Sequence, residues 1–307
     1  MAGNDSLTVV VGQRQINLQV IIVQILVFIF LCINMLLVVT FFRKACFHTS
    51  ARYILFAVML LSDSLLLVLT DVLLILSYFQ FPMQVWLCTI ITAVILLYFT
   101  VTPVTLTAMT LERYVAICMP LRHAELCTAR HTAHATLIIH AVSSVPCMAI
   151  LFSFFASASL SFFQRNLICS VEMFLLQAWQ QHLRSAVCLF YFLVMCIVII
   201  FCYEKIMQVA KAASGENKKS TQKGLRTVGL HVFQLLLCLI QLLCPFIEAA
   251  VLQVDFSMFV SVRYFNYILF NVAPKCLSPL IYGLRDETFY LALKNHTCFS
   301  LLKRNVI

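Results

Sequence analysis

The sequence predicts an all-α membrane protein, a bundle of seven transmembrane helices followed by a short cytoplasmic amphipathic helix. Three observations carry that expectation. Of 307 residues, 63% are hydrophobic and only 11% are charged, against roughly 25% charged in an average soluble domain. The apolar residues fall in seven runs, each near the ~20 residues that cross a bilayer as a helix. The lysines and arginines gather between alternate runs, as they do on the cytoplasmic side of a membrane. Too few polar residues remain to clothe a soluble protein of this size, so lipid must cover much of the chain. With 6 Gly and 7 Pro, collagen-like and low-complexity disordered chains are excluded.

Residues 1–17 read as a short extracellular N-terminus. They lack the basic start and apolar core of a cleaved signal peptide, and Asn4-Asp5-Ser6 makes Asn4 a candidate glycosylation site. Spans are expected at Leu18–Phe42, Tyr53–Tyr78, Val85–Ile117, Ala133–Ala156, Ser185–Tyr203, Thr227–Val251 and Phe259–Gly283, giving a seven-helix bundle over 18–283. From Val85 to Leu111 there is no charge, and after the fourth span an apolar stretch runs on through Phe163. In lipid every backbone polar group needs an internal partner. Strand-like alternation is absent, so these runs are helices. The most polar stretch, Ser214–Thr221, reads as a flexible cytoplasmic loop. Residues 284–307 form a cytoplasmic tail in which Glu287–Asn295 is amphipathic and suits a helix on the inner membrane surface. Cys298 beyond it is either a palmitoylation site or a plain thiol. There is no internal repeat of the kind that builds many transporters.

Sixteen of the 21 basic residues lie on one side: Arg43, Lys44 and Arg52; Arg113, Arg122 and Arg130; six from Lys205 to Arg226; and four from Arg285 onward. The other side holds Arg14, Arg165, Arg184 and Arg263, and Lys275 lies inside the last span. The N-terminus is therefore outside and the C-terminus cytoplasmic. The same distribution accounts for the net charge of +9 without nucleic acid as a partner. The 14 Cys are scattered, with no C-x-x-C pair and no Cys/His cluster at zinc spacing, so no metal is expected. There is no dinucleotide fingerprint, P-loop or zinc-protease motif, and nothing pairs a nucleophile with a base. Neither an enzyme nor a cofactor is expected.

At the cytoplasmic end of the third span the chain reads Leu111-Glu112-Arg113-Tyr114-Val115-Ala116-Ile117-Cys118, followed by Pro120-Leu121-Arg122-His123. This resembles the (D/E)RY triplet of rhodopsin-like receptors in the longer form typical of odorant receptors, and Ala124-Glu125 resembles a fish subgroup. Other segments agree in order and location. Asn34 is in the first span and Leu61-Ser62-Asp63 in the second; Lys223, Thr227 and His231 open the sixth. Pro279-Leu280-Ile281-Tyr282 resembles the family's NPxxY, and Leu284-Arg285-Asp286 follows. The chain departs from the pattern at Ser278, where the family has Asn, in the fourth span, which lacks Trp, and at Leu243-Cys244-Pro245, which lacks the aromatic toggle residue.

What the resemblance implies is a chemosensory receptor of the plasma membrane. It would bind a small odorant outside and engage a heterotrimeric G protein inside, of the Gs or olfactory type. Glu112, Arg113, Tyr114, Tyr203, Pro279 and Tyr282 would form the switch, with Glu112 neutralising Arg113 at rest. Cys88 and Cys169, on the oxidising side by the topology above, would form the family's disulfide. Outer-half positions that match the family's ligand pocket are Leu96, Phe99, Thr100, Cys188, Tyr191, Phe246, Ile247, Tyr264 and Asn271.

Charges within spans are costly and usually functional. Asp63 and Lys275 fall at one depth, where the family holds a sodium ion, and are expected to form an intramembrane ion pair; the other reading has Lys275 facing a watery channel. An opsin-type lysine would fall at Val272 instead. Glu248 and Asp71 each have two readings, a ligand contact or a locally satisfied charge. Two further functions stay open: a seven-helix transporter or pump that uses Asp63 and Lys275, and a receptor-like protein that binds ligand without coupling.

Overall fold

The computed structural model describes residues 2–213, 218–278 and 291, with side chains for 16–212, 229–230, 232–255, 258–277 and 291. Pro279, Tyr282, Cys298 and all of the Glu287–Asn295 stretch except Leu291 lie outside the described residues, as does the side chain of Asn4.

Long helices dominate because uninterrupted apolar sequence in lipid must close its own backbone hydrogen bonds. Helix α1 runs Ala2–Arg43, and a 3₁₀ turn at Ala45–Thr49 leads into α2, Ala51–Tyr78. After strand β1 (Pro82–Gln84) come α3 (Val85–Cys118) and the short α4 (Pro120–Leu126). Then follow α5 (Ala129–Ser157), the one-turn α6 (Leu160–Phe163), strand β2 (Asn166–Ile168) and a 3₁₀ turn at Val171–Phe174. Helices α7 (Ala178–Ala213) and α8 (Lys218–Leu252) precede α9 (Phe256–Asn266), a π-helical turn at Tyr267–Val272 and α10 (Ala273–Ser278).

Six of these helices are long and apolar enough to cross a membrane: α1 from Ile16, α2, α3, α5, α7 and α8 from Val232. The seventh span is built differently, from α9, the π turn and α10 in succession. The residues that flank the π turn, Asn266 and Ala273, both keep right-handed helical angles, so the rod continues through it. Pro274 supplies a reason for the widened turn. It has no N–H to give, and its ring would crowd the carbonyl one turn back in a regular α-helix; a π turn relieves that crowding.

Several helices outrun the expected spans. α1 continues through the polar N-terminal residues, α7 extends beyond Tyr203 to Ala213, and α8 starts at Lys218 within the expected cytoplasmic loop. Hydropathy locates the lipid-buried part of a helix, whereas the backbone ladder continues into water wherever propensity allows. After the fourth span the apolar run breaks at Ala158, and Leu160–Phe163 forms its own turn, its rings packed around Phe154.

Helix α3 is central and packs on α2, α5, α7 and α8. The main core joins Met59 and Leu60 of α2, Leu106 of α3 and Leu235 of α8, all buried. The outer surface is apolar too: Phe28 is 70% exposed and Leu137 69%, as expected for side chains that face lipid. Polar residues lie inside instead. Along α3, Thr89, Thr92, Thr105, Thr107 and Thr110 each donate to the carbonyl one turn back. That local bond lets a hydroxyl sit in an apolar bundle without a partner from another helix.

On the outer side β1 and β2 pair antiparallel, with Met83 opposite Leu167. Val85 N–H continues the ladder to Arg165 O at 3.0 Å. This pairing sets the loop beside the start of α3, where Cys88 and Cys169 form a disulfide with Cα atoms 5.6 Å apart.

Candidate functional site

Three levels of the bundle carry the polar groups singled out above. At mid-depth Asn34, Asp63 and Lys275 are all buried. Asn34 Nδ2 donates to Ser64 Oγ at 3.2 Å, and Thr102 Oγ1 donates to Asp63 Oδ1 at 2.7 Å. Among the described residues, Asp63 Oδ2 and Asn34 Oδ1 have no hydrogen-bond partner. Lys275 Nζ donates to Asn271 O at 2.8 Å and to Asn271 Oδ1 at 2.6 Å, one turn back on its own span. From α8, Gln234 Nε2 donates to Pro274 O at 3.2 Å.

The expected direct contact between Lys275 and Asp63 is therefore not made. No described nitrogen–oxygen pair joins them within salt-bridge distance, because the ammonium is satisfied by Asn271, which lies in the π turn.

In the outer half, Asn266 Nδ2 donates to Glu248 Oε1 at 3.0 Å, which links α8 to α9. Gln24 Nε2 donates to Asp71 Oδ1 at 2.5 Å, so Asp71 is a satisfied charge between α1 and α2. Of the expected pocket positions, three have their polar groups engaged by protein. Thr100 Oγ1 donates to Ser143 O at 3.0 Å, and Tyr191 OH to Val142 O at 2.7 Å; both ties reach α5. Asn271 holds Lys275. Ile247 is largely exposed on the bundle surface. Leu96 packs against the cluster of Val85, Ile150, Phe154 and Phe174, Phe99 against the main core, and Tyr264 against Val23, Val27 and Val272. Phe246, Glu248 and Cys188 are half-buried.

Over the outer mouth, Glu172 Oε1 lies 2.9 Å from Arg263 Nη1. This contact ties the disulfide-bearing loop to the seventh span. Burial alone would push the Glu172 carboxyl up, but the Arg263 guanidinium and local hydrogen bonds hold it below the usual carboxylate value.

At the cytoplasmic end, Glu112 Oε1 pairs with His123 Nε2 of α4 at 3.1 Å rather than with Arg113. Neighbouring residues on a helix point about 100° apart, so Glu112 meets a side chain from another element more readily than its own neighbour. Tyr114 packs its ring on Phe201 of α7, 5.8 Å between centroids, and Tyr203 is partly exposed. Cys127, just past α4, comes within 4.8 Å of both Glu112 and His123 by its ligand atom. That trio was missed in the sequence. Its one legible signal was the four-residue spacing of His123 and Cys127, which puts both on one face of a helical turn.

The bundle, the disulfide-tied outer loop and the Glu112-Arg113-Tyr114 end define a seven-helix receptor. The family model for the 7 transmembrane receptor (rhodopsin family) matches residues 33–282, and the chain belongs to that family. It is a multi-pass, non-enzymatic receptor of the plasma membrane. Among curated proteins it is similar to odorant receptor 131-2 of Danio rerio, with 41% identity over 272 residues, 89% of this chain and 83% of that one.

Proposed function

We propose that this receptor binds a small odorant from the extracellular side and activates a heterotrimeric G protein of the Gs, olfactory type. The observation that carries the reading is its similarity, over most of both chains, to a receptor named for odorants. The Glu112–His123 contact lies at the end of α3 where, in this reading, a G protein would dock.

The ligand would lie among α3, α7, α8 and α9, with Leu96, Phe99, Phe246 and Tyr264 as apolar lining. Apolar walls with a few polar groups suit a small organic ligand. Glu248 offers the acidic anchor, its position supported by Asn266. Binding would shift a two-state bundle by no more than the ligand's differential affinity for the two states. Arg113, Tyr114 and Tyr203, with Pro279 and Tyr282, would form the inner switch.

Asp63 and Lys275 act as one electrostatic unit in this reading. Both are buried, and an unpaired buried ion costs several kcal/mol. The Lys275 ammonium supplies from within the chain the positive charge that Asp63 needs, in place of a bound cation.

The test is expression of the intact chain with a cAMP reporter and a panel of water-soluble odorants and amines, beside Arg113→Ala. A cAMP rise that falls at least about tenfold in the variant, at equal surface expression, is the expected result. A response of full size in Arg113→Ala would defeat the proposed switch.

A further inference from the structure

The cluster of Glu112, His123 and Cys127 has a chemistry that coupling does not require. Glu112 comes from the last turns of α3. His123 is in α4, and Cys127 caps that helix, its N–H bonded to His123 O at 2.9 Å. One helical turn thus presents an imidazole and a thiol side by side, and α3 brings a carboxylate to meet them. Their ligand atoms all lie within 4.8 Å of one another, and each residue is half-buried. Among the described residues this is the one group of three potential metal ligands at such distances.

We propose that Glu112, His123 and Cys127 form a zinc site on the cytoplasmic face of the receptor. The donor set of one carboxylate oxygen, one imidazole nitrogen and one thiolate sulfur is a zinc set. Zn²⁺ takes O, N and S ligands at about 2.0–2.3 Å in tetrahedral geometry. Hard cations such as Mg²⁺ and Ca²⁺ call for oxygen alone, so the thiolate and imidazole select against them. The present Glu112–His123 separation of 3.1 Å is close to the edge of such a tetrahedron, and the Cys127 thiol, within 4.8 Å of both, would close in on the ion. A water molecule would take the fourth position, because the side chains are open to the cytoplasm on one side: His123 is 37% exposed.

On binding, neutral His123 gives a lone pair from Nε2. Cys127 Sγ gives up its proton to solvent and coordinates as thiolate, as metal-bound thiols do. The ion would replace one charge-assisted hydrogen bond between α3 and α4 by three bonds, and so fasten α4 to the helix that carries Arg113. The site concerns the receptor's metal content and stands whether or not the G-protein subtype proposed above is correct.

The experiment is zinc titration of the purified full-length receptor in lipid nanodiscs, read by competition with a chromophoric chelator, for wild type and Cys127→Ser. Serine keeps the size and removes only the thiolate. Wild type should bind one more equivalent of Zn²⁺ than Cys127→Ser, or the same equivalent at least about 10-fold more tightly, since losing a direct ligand should cost no less than losing an outer-shell one. A Co²⁺ titration supplies a readout that a purely structural role would not move. Wild type should develop thiolate-to-cobalt absorption in the near ultraviolet, and Cys127→Ser should not. Identical zinc stoichiometry and affinity in the two proteins, with no cobalt–thiolate band that depends on Cys127, would overturn the site. Surface expression of both proteins confirms that each is folded, and His123→Asn should reproduce the loss.

Discussion

Replacing Lys275 by methionine removes a buried ammonium and leaves Asp63 with Thr102 as its one hydrogen-bond donor among the described residues. Replacing Asp63 by asparagine leaves the ammonium with its two bonds to Asn271 oxygens and removes the buried carboxylate that balances it. Asp63 is 0% exposed and Lys275 1%, so neither stranded charge can turn to water. Breaking a directly bonded buried pair on one side costs about 3–5 kcal/mol, whereas replacing both members by neutral groups is often neutral or better. Asp63 and Lys275 do not touch and each keeps its own hydrogen bonds, so each single substitution should destabilise by less than that, about 1–2 kcal/mol. The double substitution should recover part of that loss, with a coupling energy of about 1 kcal/mol between the sites. The assay is thermal unfolding of the four purified proteins in one detergent, with cell-surface abundance measured in parallel. Additive losses, or equal stability in both singles and the double, would show that the two charges do not act as a unit, despite their burial together.

Two further outcomes follow from the outer face. Opening the Cys88–Cys169 bridge by Cys169→Ser releases a closure across 81 residues, worth up to about 4.5 kcal/mol by chain entropy. The helices stay inserted in the bilayer, so the observed loss should be smaller. Surface abundance and melting temperature should fall, a reductant should do the same to wild type, and it should do nothing more to the variant; equal stability with and without reductant would contradict the estimate. The Glu172–Arg263 tie should show the pH signature of a depressed carboxyl. Its contribution is complete above the ordinary carboxylate value and is lost as pH falls through the lower folded value. Both groups are nearly half exposed, so the tie is worth less than about 1 kcal/mol. At neutral pH Glu172→Gln should melt slightly below wild type, and the gap should close in acid. A gap that is constant from neutral to acid pH would exclude the pair as its source.

Much of this architecture was legible in residue order. A bilayer accepts few solutions, so long apolar runs located the membrane segments, and the skew of Arg and Lys oriented them. The motif around Glu112-Arg113-Tyr114 carried the resemblance to rhodopsin-like receptors, and the family model matches. The bounds were less legible where α8 begins at Lys218 and α1 at Ala2, because hydropathy reads the solvent around a helix rather than its ladder. The π turn at Tyr267–Val272 also escaped, since Pro274 signals a disturbed helix without saying how the backbone absorbs it.

The pairing of side chains belongs to the tertiary structure. Depth along the membrane follows from residue number, and on depth alone Asp63 and Lys275 belonged together. Contact also depends on helix rotation and on competing partners, and there Asn271 takes the ammonium while Thr102 takes the carboxylate. Thr100 and Tyr191 turn toward α5 for the same reason. Glu112 finds His123 and Cys127 only because the helix is interrupted at Met119 and α4 packs against α3. Sequence alone determined that this chain is a seven-span receptor with its N-terminus outside, since solvent exclusion acts on whole segments. Which polar groups meet was decided by the packing angles and rotations of those segments, since a hydrogen bond requires its atoms within about 3 Å, far finer than any hydropathy pattern resolves.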